Sequence, residues 1–164
     1  SGRIELAPPD FVADLARVDA ALREPVADLV LIGRRDVRTN NSWMHNLPTL
    51  AKGPNRCKLL VHPADAARHG LSQGGLAEIA GNGATLLVPV EITEDMMPGV
   101  VSLPHGWGHD RQGAELKIAA LNPGVNVNAL ISEGARDPLS GNSVLNGVAI
   151  SLKAAALPVV EAAE

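Results

Sequence analysis

The 164 residues are 46% hydrophobic, enough to close one core and too few for two domains of ordinary size. Net charge is −4, with Lys and Arg scattered apart from Arg34, Arg35 and Arg38, so the basic footprint of a nucleic-acid binder is missing and no nucleic-acid partner is expected. The single cysteine, Cys57, excludes an internal disulfide, a Cys-rich zinc site and a self-sufficient iron–sulfur cluster, and no apolar run approaches the roughly 20 residues that span a bilayer as a helix.

The chain opens at Ser1-Gly2 without Met, which suits a fragment. A soluble protein in the reduced cytoplasm is expected, with the periplasm left open for a longer parent. After Pro8-Pro9, Asp10 is placed to cap a helix whose Phe11, Leu15, Val18 and Leu22 recur at helical spacing, closed by Pro25. Residues 1–26 are therefore read as a helical flank. Leu29-Val30-Leu31-Ile32 is a short apolar run ended by Gly33, predicted as a strand buried on both faces. The polar stretch from Arg34 to Asn46 follows as a long loop outside the core. Lys58 to Val61 is a second strand, with Cys57 a small residue at its start rather than a reactive thiol. His62 to Leu71 is a two-turn helix: Pro63 suits its first position, Asp65 its positive end, Arg68 and His69 its negative end, and Gly70 a left-handed cap.

Leu76 to Ala80 and Thr85 to Val90 flank Gly81-Asn82-Gly83, a hairpin signal made by residues that tolerate positive φ. Val100 to Leu103 is a further strand, and Val148 to Leu152 is the last, with an Ala-rich tail over 155–164 expected to fray. Short strands, few helices and long polar loops predict a mainly β domain over 27–154, a six-stranded mixed barrel, closed or nearly closed, filled by aliphatic side chains.

Two loops carry chemistry-bearing residues. Arg34, Arg35 and Arg38 are followed by Asn40, Asn41, Ser42, Trp43, His45 and Asn46; guanidinium forks suit phosphate oxygens, amides suit heterocycle edges, and an indole offers a face for stacking. The set fits a nucleotide-like ligand, against a bland reading as a charged, solvated turn. His105-Gly106-Trp107-Gly108-His109 places two imidazoles four residues apart. Two glycines make a helix improbable there and no third ligand lies nearby, so a metal is the poorer reading and close approach of backbone to a flat ligand the better one. His62 and His69 are explained by the ends of their helix. Signatures of dinucleotide, P-loop, serine-hydrolase and zinc-protease sites are absent, and the carboxylates show no pairing for acid–base work. The chain is built to hold a ligand rather than to transform it.

The order of these features resembles the molybdopterin dinucleotide-binding domain at the C-terminus of formate dehydrogenases, periplasmic nitrate reductases and dimethyl-sulfoxide-reductase-type enzymes. The resemblance runs from about Leu29 to Leu152 through Gly33-Arg34, Asn40 to His45, His62 to Ala66, Pro98 to Val101, His105 to Trp107, Asn128 to Ile131 and Asp137 to Gly141. It implies a double-psi β-barrel packed over two molybdopterin guanine dinucleotides in a large catalytic subunit. Through it, contacts to pterin and pyrophosphate fall to Arg34, Arg35, Asn40, Asn41, Ser42, Trp43 and His45, with further cofactor contacts at His105, Trp107 and Asn128. Asn146 stands where many relatives have Lys. The molybdenum or tungsten ligand and the iron–sulfur cysteines belong to earlier domains, so the partners are the remaining domains of the same subunit and the fragment alone is not catalytic. Truncation of Arg34, Arg35 or Trp43 should then cost cofactor retention and little stability. A self-cleaving decarboxylase on the same fold falls because the chain has no Gly-Ser dipeptide. A free-standing ligand-binding or adaptor barrel is the alternative.

Overall fold

A computed structural model describes residues 2–113 and 115–155 of the chain. Helix α1 (Pro9–Ala21) precedes strand β1 (Val30–Arg34), a one-turn helix α2 (Pro48–Ala51), β2 (Leu59–Val61), α3 (Pro63–Arg68), the hairpin β3 (Leu76–Gly81) and β4 (Ala84–Ile92), and β5 (Val100–Pro104). Two 3-10 turns, Ala119–Leu121 and Val127–Leu130, then lead to β6 (Val148–Ala149) and β7 (Ser151–Ala154).

The seven strands lie in the order β6-β1-β5-β2-β4-β3-β7. Two pairs are parallel, β1 with β5 and β2 with β4, and β5 meets β2 antiparallel between them. The β2-to-β4 connection lies within the longer β1-to-β5 connection, and both crossovers share one mixed sheet, that of a double-psi β-barrel. Closure comes from the last strand. Six strands are predicted and seven are found because Val148 to Leu152 breaks at Ile150: β6 pairs with β1 at one edge of the sheet and β7 with β3 at the other. The Ile150 N–H donates to the Leu29 carbonyl at 3.2 Å as the chain passes between them. One segment thus covers both edges, which would otherwise be open to pairing with another chain.

Inward positions are aliphatic: Leu29, Leu31, Leu59, Val61, Ile79, Val88, Val90, Val101, Leu103, Leu130 and Leu152 are all buried. In β1 the burial alternates, with Val30 and Ile32 only half-buried. The expected double-sided burial is wrong, because a small barrel has one inner face and no helical layer over this strand. The hairpin turns as its residues dictate, with Asn82 and Gly83 at φ 48° and 75°, the two positive angles of a tight turn matched to strand twist. Helix α3 begins with His62 Nδ1 accepting from the Ala64 N–H at 3.1 Å and is followed by Gly70 at φ 65°. Its buried Asp65 accepts from the Gly99 N–H at 2.7 Å and from Arg68 at 3.0 Å, tying the helix to the start of β5.

The flank differs from its prediction in detail. Pro8, not Asp10, occupies the N-cap position, and no side chain caps the helix. Phe11, Leu15, Val18 and Leu22 are all exposed, so α1 presents its apolar face to the outside. The expected tail over 155–164 falls, from residue 156 on, outside the described residues.

Candidate functional site

Because β1 and β5 are parallel and in register from Val30–Val100 to Arg34–Pro104, their C-terminal ends coincide and the loops leaving them emerge side by side. The His105 N–H donates to the Arg34 carbonyl at 3.1 Å. Gly106, at φ 90°, lies so close to the neighbouring loop that a Cβ there would fall 2.2 Å from the Asn41 carbonyl oxygen. Gly108 is equally confined by Asn126. The glycines of this loop admit other loops of the same protein, which corrects the expectation that they admit a flat ligand.

At these strand ends a groove is lined by Gly33, Arg34, Arg35, His105, Val127, Asn128, Ile131, Leu145 and Asn146. Its volume of about 170 Å³ suits one end of a dinucleotide and not the whole, since enclosed drug-sized ligands occupy roughly 300 Å³ or more. Five of the eleven sequence-derived candidates meet here: Arg34, Arg35, His105, Asn128 and Asn146. Arg35 is exposed and only loosely held, one N–H reaching Asn41 Oδ1 at 3.2 Å. Asn128 is exposed on the second 3-10 turn, whose Asn126 side chain accepts from the Asn128 N–H at 3.1 Å. Asn146 Oδ1 accepts from the Gly33 N–H at 2.8 Å, so it clamps the end of β1 and still offers its NH₂ group. His105 Nε2 is buried without a hydrogen-bond partner. Such an orphan is costly unless a ligand or water meets it, and its residue lines the groove together with a cation, two amides and the apolar Val127, Ile131 and Leu145. That donor set fits a heterocycle carrying phosphate.

Arg34 lies at the groove differently from its expectation. Its two terminal nitrogens donate to the Ser102 and Lys58 carbonyls, both at 2.6 Å, and burial works against its charge, partly offset by the Glu91 and Asp36 carboxylates. The guanidinium is a brace across β5 and the start of β2. Asn40 and Asn41 both adopt positive φ, 42° and 61°, angles that Asn tolerates better than most side chains, and they turn the loop onto Gly106. Ser42 is half-buried and Trp43 is 80% exposed; neither lines the groove.

His45 and Trp107 lie elsewhere. Both are buried, 5% and 8% exposed, with ring centroids 4.1 Å apart, so the polar loop does contribute to the interior, contrary to its prediction. His45 Nδ1 and His109 Nε2 share a hydrogen bond at 2.5 Å. Burial, then His109 and Arg56, push the pKa of His45 down to about 4, and burial lowers that of His109. His109 is a partner that sequence reasoning missed: its spacing pointed to His105, whereas its contact lies in another loop. Asn46, read from the sequence as one of the amides of the nucleotide-like set, accepts through Oδ1 from the Ile118 and Ala119 N–H groups at 2.9 and 3.2 Å, fixing the loop's far end. Cys57 is buried, accepts from the Val125 N–H at 3.4 Å, and has its pKa raised by burial, as a packing residue rather than a nucleophile. Among the described residues no three His, Cys, Asp or Glu side chains converge on a metal-sized site, and no helix is long and apolar enough to cross a membrane.

Residues 29–149 match the family model of the molydopterin dinucleotide binding domain. The chain is 26% identical over 121 residues to the molybdopterin-containing subunit of the arsenate respiratory reductase of Chrysiogenes arsenatis, covering 71% of this chain and 14% of that subunit. It is 33% identical over 54 residues to a tetrathionate reductase polypeptide of Salmonella typhimurium, 33% of this chain and 5% of that protein. Among solved structures, the acetylene hydratase of Pelobacter acetylenicus superposes with a TM-score of 0.64 at 19% identity, over 94% of this chain and 21% of the hydratase. The chain therefore spans at most about a fifth of these relatives.

Proposed function

Since this chain belongs to the molybdopterin dinucleotide-binding family, we propose that it is the cofactor-gripping domain of a molybdenum or tungsten oxidoreductase that carries two pterin guanine dinucleotides. The reading rests on one observation above the rest: residues far apart in sequence, Arg35, His105, Asn128 and Asn146, converge on a single groove at the ends of two parallel strands. In it the Arg35 guanidinium would meet pyrophosphate oxygens, and the amides of Asn128 and Asn146 with the orphaned His105 Nε2 would meet heterocycle edges. The cofactor, once bound, supplies the redox chemistry; these side chains hold and orient it.

The partner is the remainder of a larger catalytic subunit. Two observations support that reading: the short span of the relatives that this chain covers and the uncovered apolar face of α1. Any iron–sulfur cluster would lie in that remainder, as would the metal ligand. Formate-dehydrogenase-like chemistry in the cytoplasm is the finer form of the proposal, with a periplasmic enzyme or a reductase of another oxyanion as its competitors. This chain by itself should turn over no formate, nitrate or sulfoxide.

The test is isolation of the whole polypeptide that contains this domain, with acid release and quantification of its pterin, nucleotide base and metal. Two guanine-bearing pterins and one molybdenum or tungsten per polypeptide are expected. A polypeptide without pterin would leave the adaptor barrel as the better reading.

A further inference from the structure

Two Asn-Gly dipeptides occur in the chain, Asn82-Gly83 and Asn146-Gly147. At such a pair the side-chain amide is open to attack by its own backbone: the glycine nitrogen closes a small ring on Asn Cγ, and a residue without a Cβ leaves that approach unobstructed. All four residues are exposed, and both glycines have positive φ, 75° and 72°. A Cβ at either glycine would meet nothing within 4 Å. Sequence, exposure and local crowding therefore treat the two pairs alike, and what separates them is the hydrogen bonding of each amide.

At Asn146 the bonding favours reaction. Its Oδ1 accepts from the Gly33 N–H at 2.8 Å, a donor fixed in β1 and aimed at the atom that becomes an oxyanion when nitrogen attacks Cγ. The Asn146 NH₂, which must leave, donates to nothing among the described residues. The Gly147 N–H, beside β6 but outside its ladder, likewise has no acceptor there. At Asn82 the pattern is reversed. The NH₂ that must leave donates to the Ile131 carbonyl at 3.0 Å, and Oδ1 meets no donor among the described residues. Asn82 is also pinned in a tight turn between Gly81 and Ala84, which pair across the hairpin.

We propose that Asn146 is a self-deamidating site, at which the Gly33 N–H assists attack of the Gly147 nitrogen on Asn146 Cγ. Hydroxide takes the Gly147 amide proton as the N–Cγ bond forms. The Cγ–Nδ2 bond then breaks with release of ammonia, and water opens the resulting succinimide to aspartate or isoaspartate. The product puts a carboxylate where the groove beside Arg35 and Asn128 had a neutral donor, and isoaspartate also inserts a methylene into the main chain ahead of β6. A groove that holds phosphate would lose its grip as the protein ages. That consequence rests on the cofactor reading; the deamidation itself does not and would stand if that reading failed.

The experiment is incubation of this chain in warm, mildly alkaline buffer, with both sites followed over time by tandem mass spectrometry of proteolytic peptides. A parallel sample is held unfolded in guanidinium chloride. In the folded chain Asn146 should deamidate at least about fivefold faster than Asn82, the worth of one hydrogen bond gained in the transition state. In denaturant, where both are plain Asn-Gly pairs, the two rates should converge. Asn146→Gln, whose longer side chain disfavours ring closure, should remove the reaction at this position and leave that at Asn82 unchanged. A ratio of Asn146 to Asn82 rates no greater in the folded chain than in denaturant overturns the proposal. Should Asn146→Gln fail to fold, the rates in the parent decide alone.

Discussion

Arg34 and Arg35 adjoin in sequence and are treated alike by any reading based on composition, yet the strand alternation sends them to different tasks. Arg34 braces two main-chain carbonyls across the barrel, whereas Arg35 stands exposed in the groove. Arg34→Ala strands the Ser102 and Lys58 carbonyls and should lower the stability of this domain by about 2–4 kcal/mol, read from urea unfolding midpoints. Arg35→Ala should stay within roughly 0.5 kcal/mol of the parent. Equal, small effects would mean that the Arg34 bonds are replaced by water without cost. His45 supplies a pH dependence with a definite sign. Its pKa falls from 6.5 to about 4 on folding, so the unfolded chain binds the extra proton between those values. The stabilisation is fully present above about pH 6.5 and is lost as pH falls toward 4, on the order of 2 kcal/mol by pH 5. His109 shifts in the same direction. Urea midpoints at pH 7 and pH 5 measure it, and His45→Asn should flatten the difference; a parent as stable at pH 5 as at pH 7 contradicts the neutral, buried pair.

At the scale of elements, what was legible in the sequence was what local chemistry determines. The Gly81-Asn82-Gly83 hairpin and the His62–Gly70 helix follow from residues within one turn of each other, and both form where expected. The break at Ile150 was not legible, because it depends on two partners, Leu29 and β3, far away in the chain. The same holds for the site. The groove's members were each identifiable as polar residues in loops, but the direction of the Arg34 side chain and the His45–His109 pairing are set by the register of β1 on β5. Helix α1 was legible as amphipathic, and its periodicity could not say that the face it creates would find no cover within the described residues. It forms no extensive contact with the strands, and a pocket at Phe11 and Asp14 meets only Pro138 and Leu139. Deleting residues 1–26 should therefore leave the unfolding midpoint of the barrel within about 0.5 kcal/mol of the parent, while making the remaining chain more soluble by removing an exposed apolar stripe. A collapse of the midpoint on deletion would show that the flank is part of the core.

Across the whole molecule, the crossed strands make a rigid frame, and the loops at one end of it carry the groove on supports that share its hydrogen bonds. That division lets a groove residue change without damage to the frame. Asn128 is exposed on its 3-10 turn, so Asn128→Asp should fold normally while placing a negative charge against a phosphate-bearing ligand. The most direct measurement of the central claim is the pterin content of the whole polypeptide carrying Asn128→Asp, compared with its parent. Loss of a hydrogen bond to a charged or heterocyclic group together with the new repulsion is worth at least ~1.4 kcal/mol, a tenfold fall in affinity. The account predicts at least that fall in retained pterin dinucleotide on dilution and dialysis, with an unchanged circular dichroism spectrum. Full retention of pterin by the folded variant would contradict it and place the cofactor elsewhere than this groove.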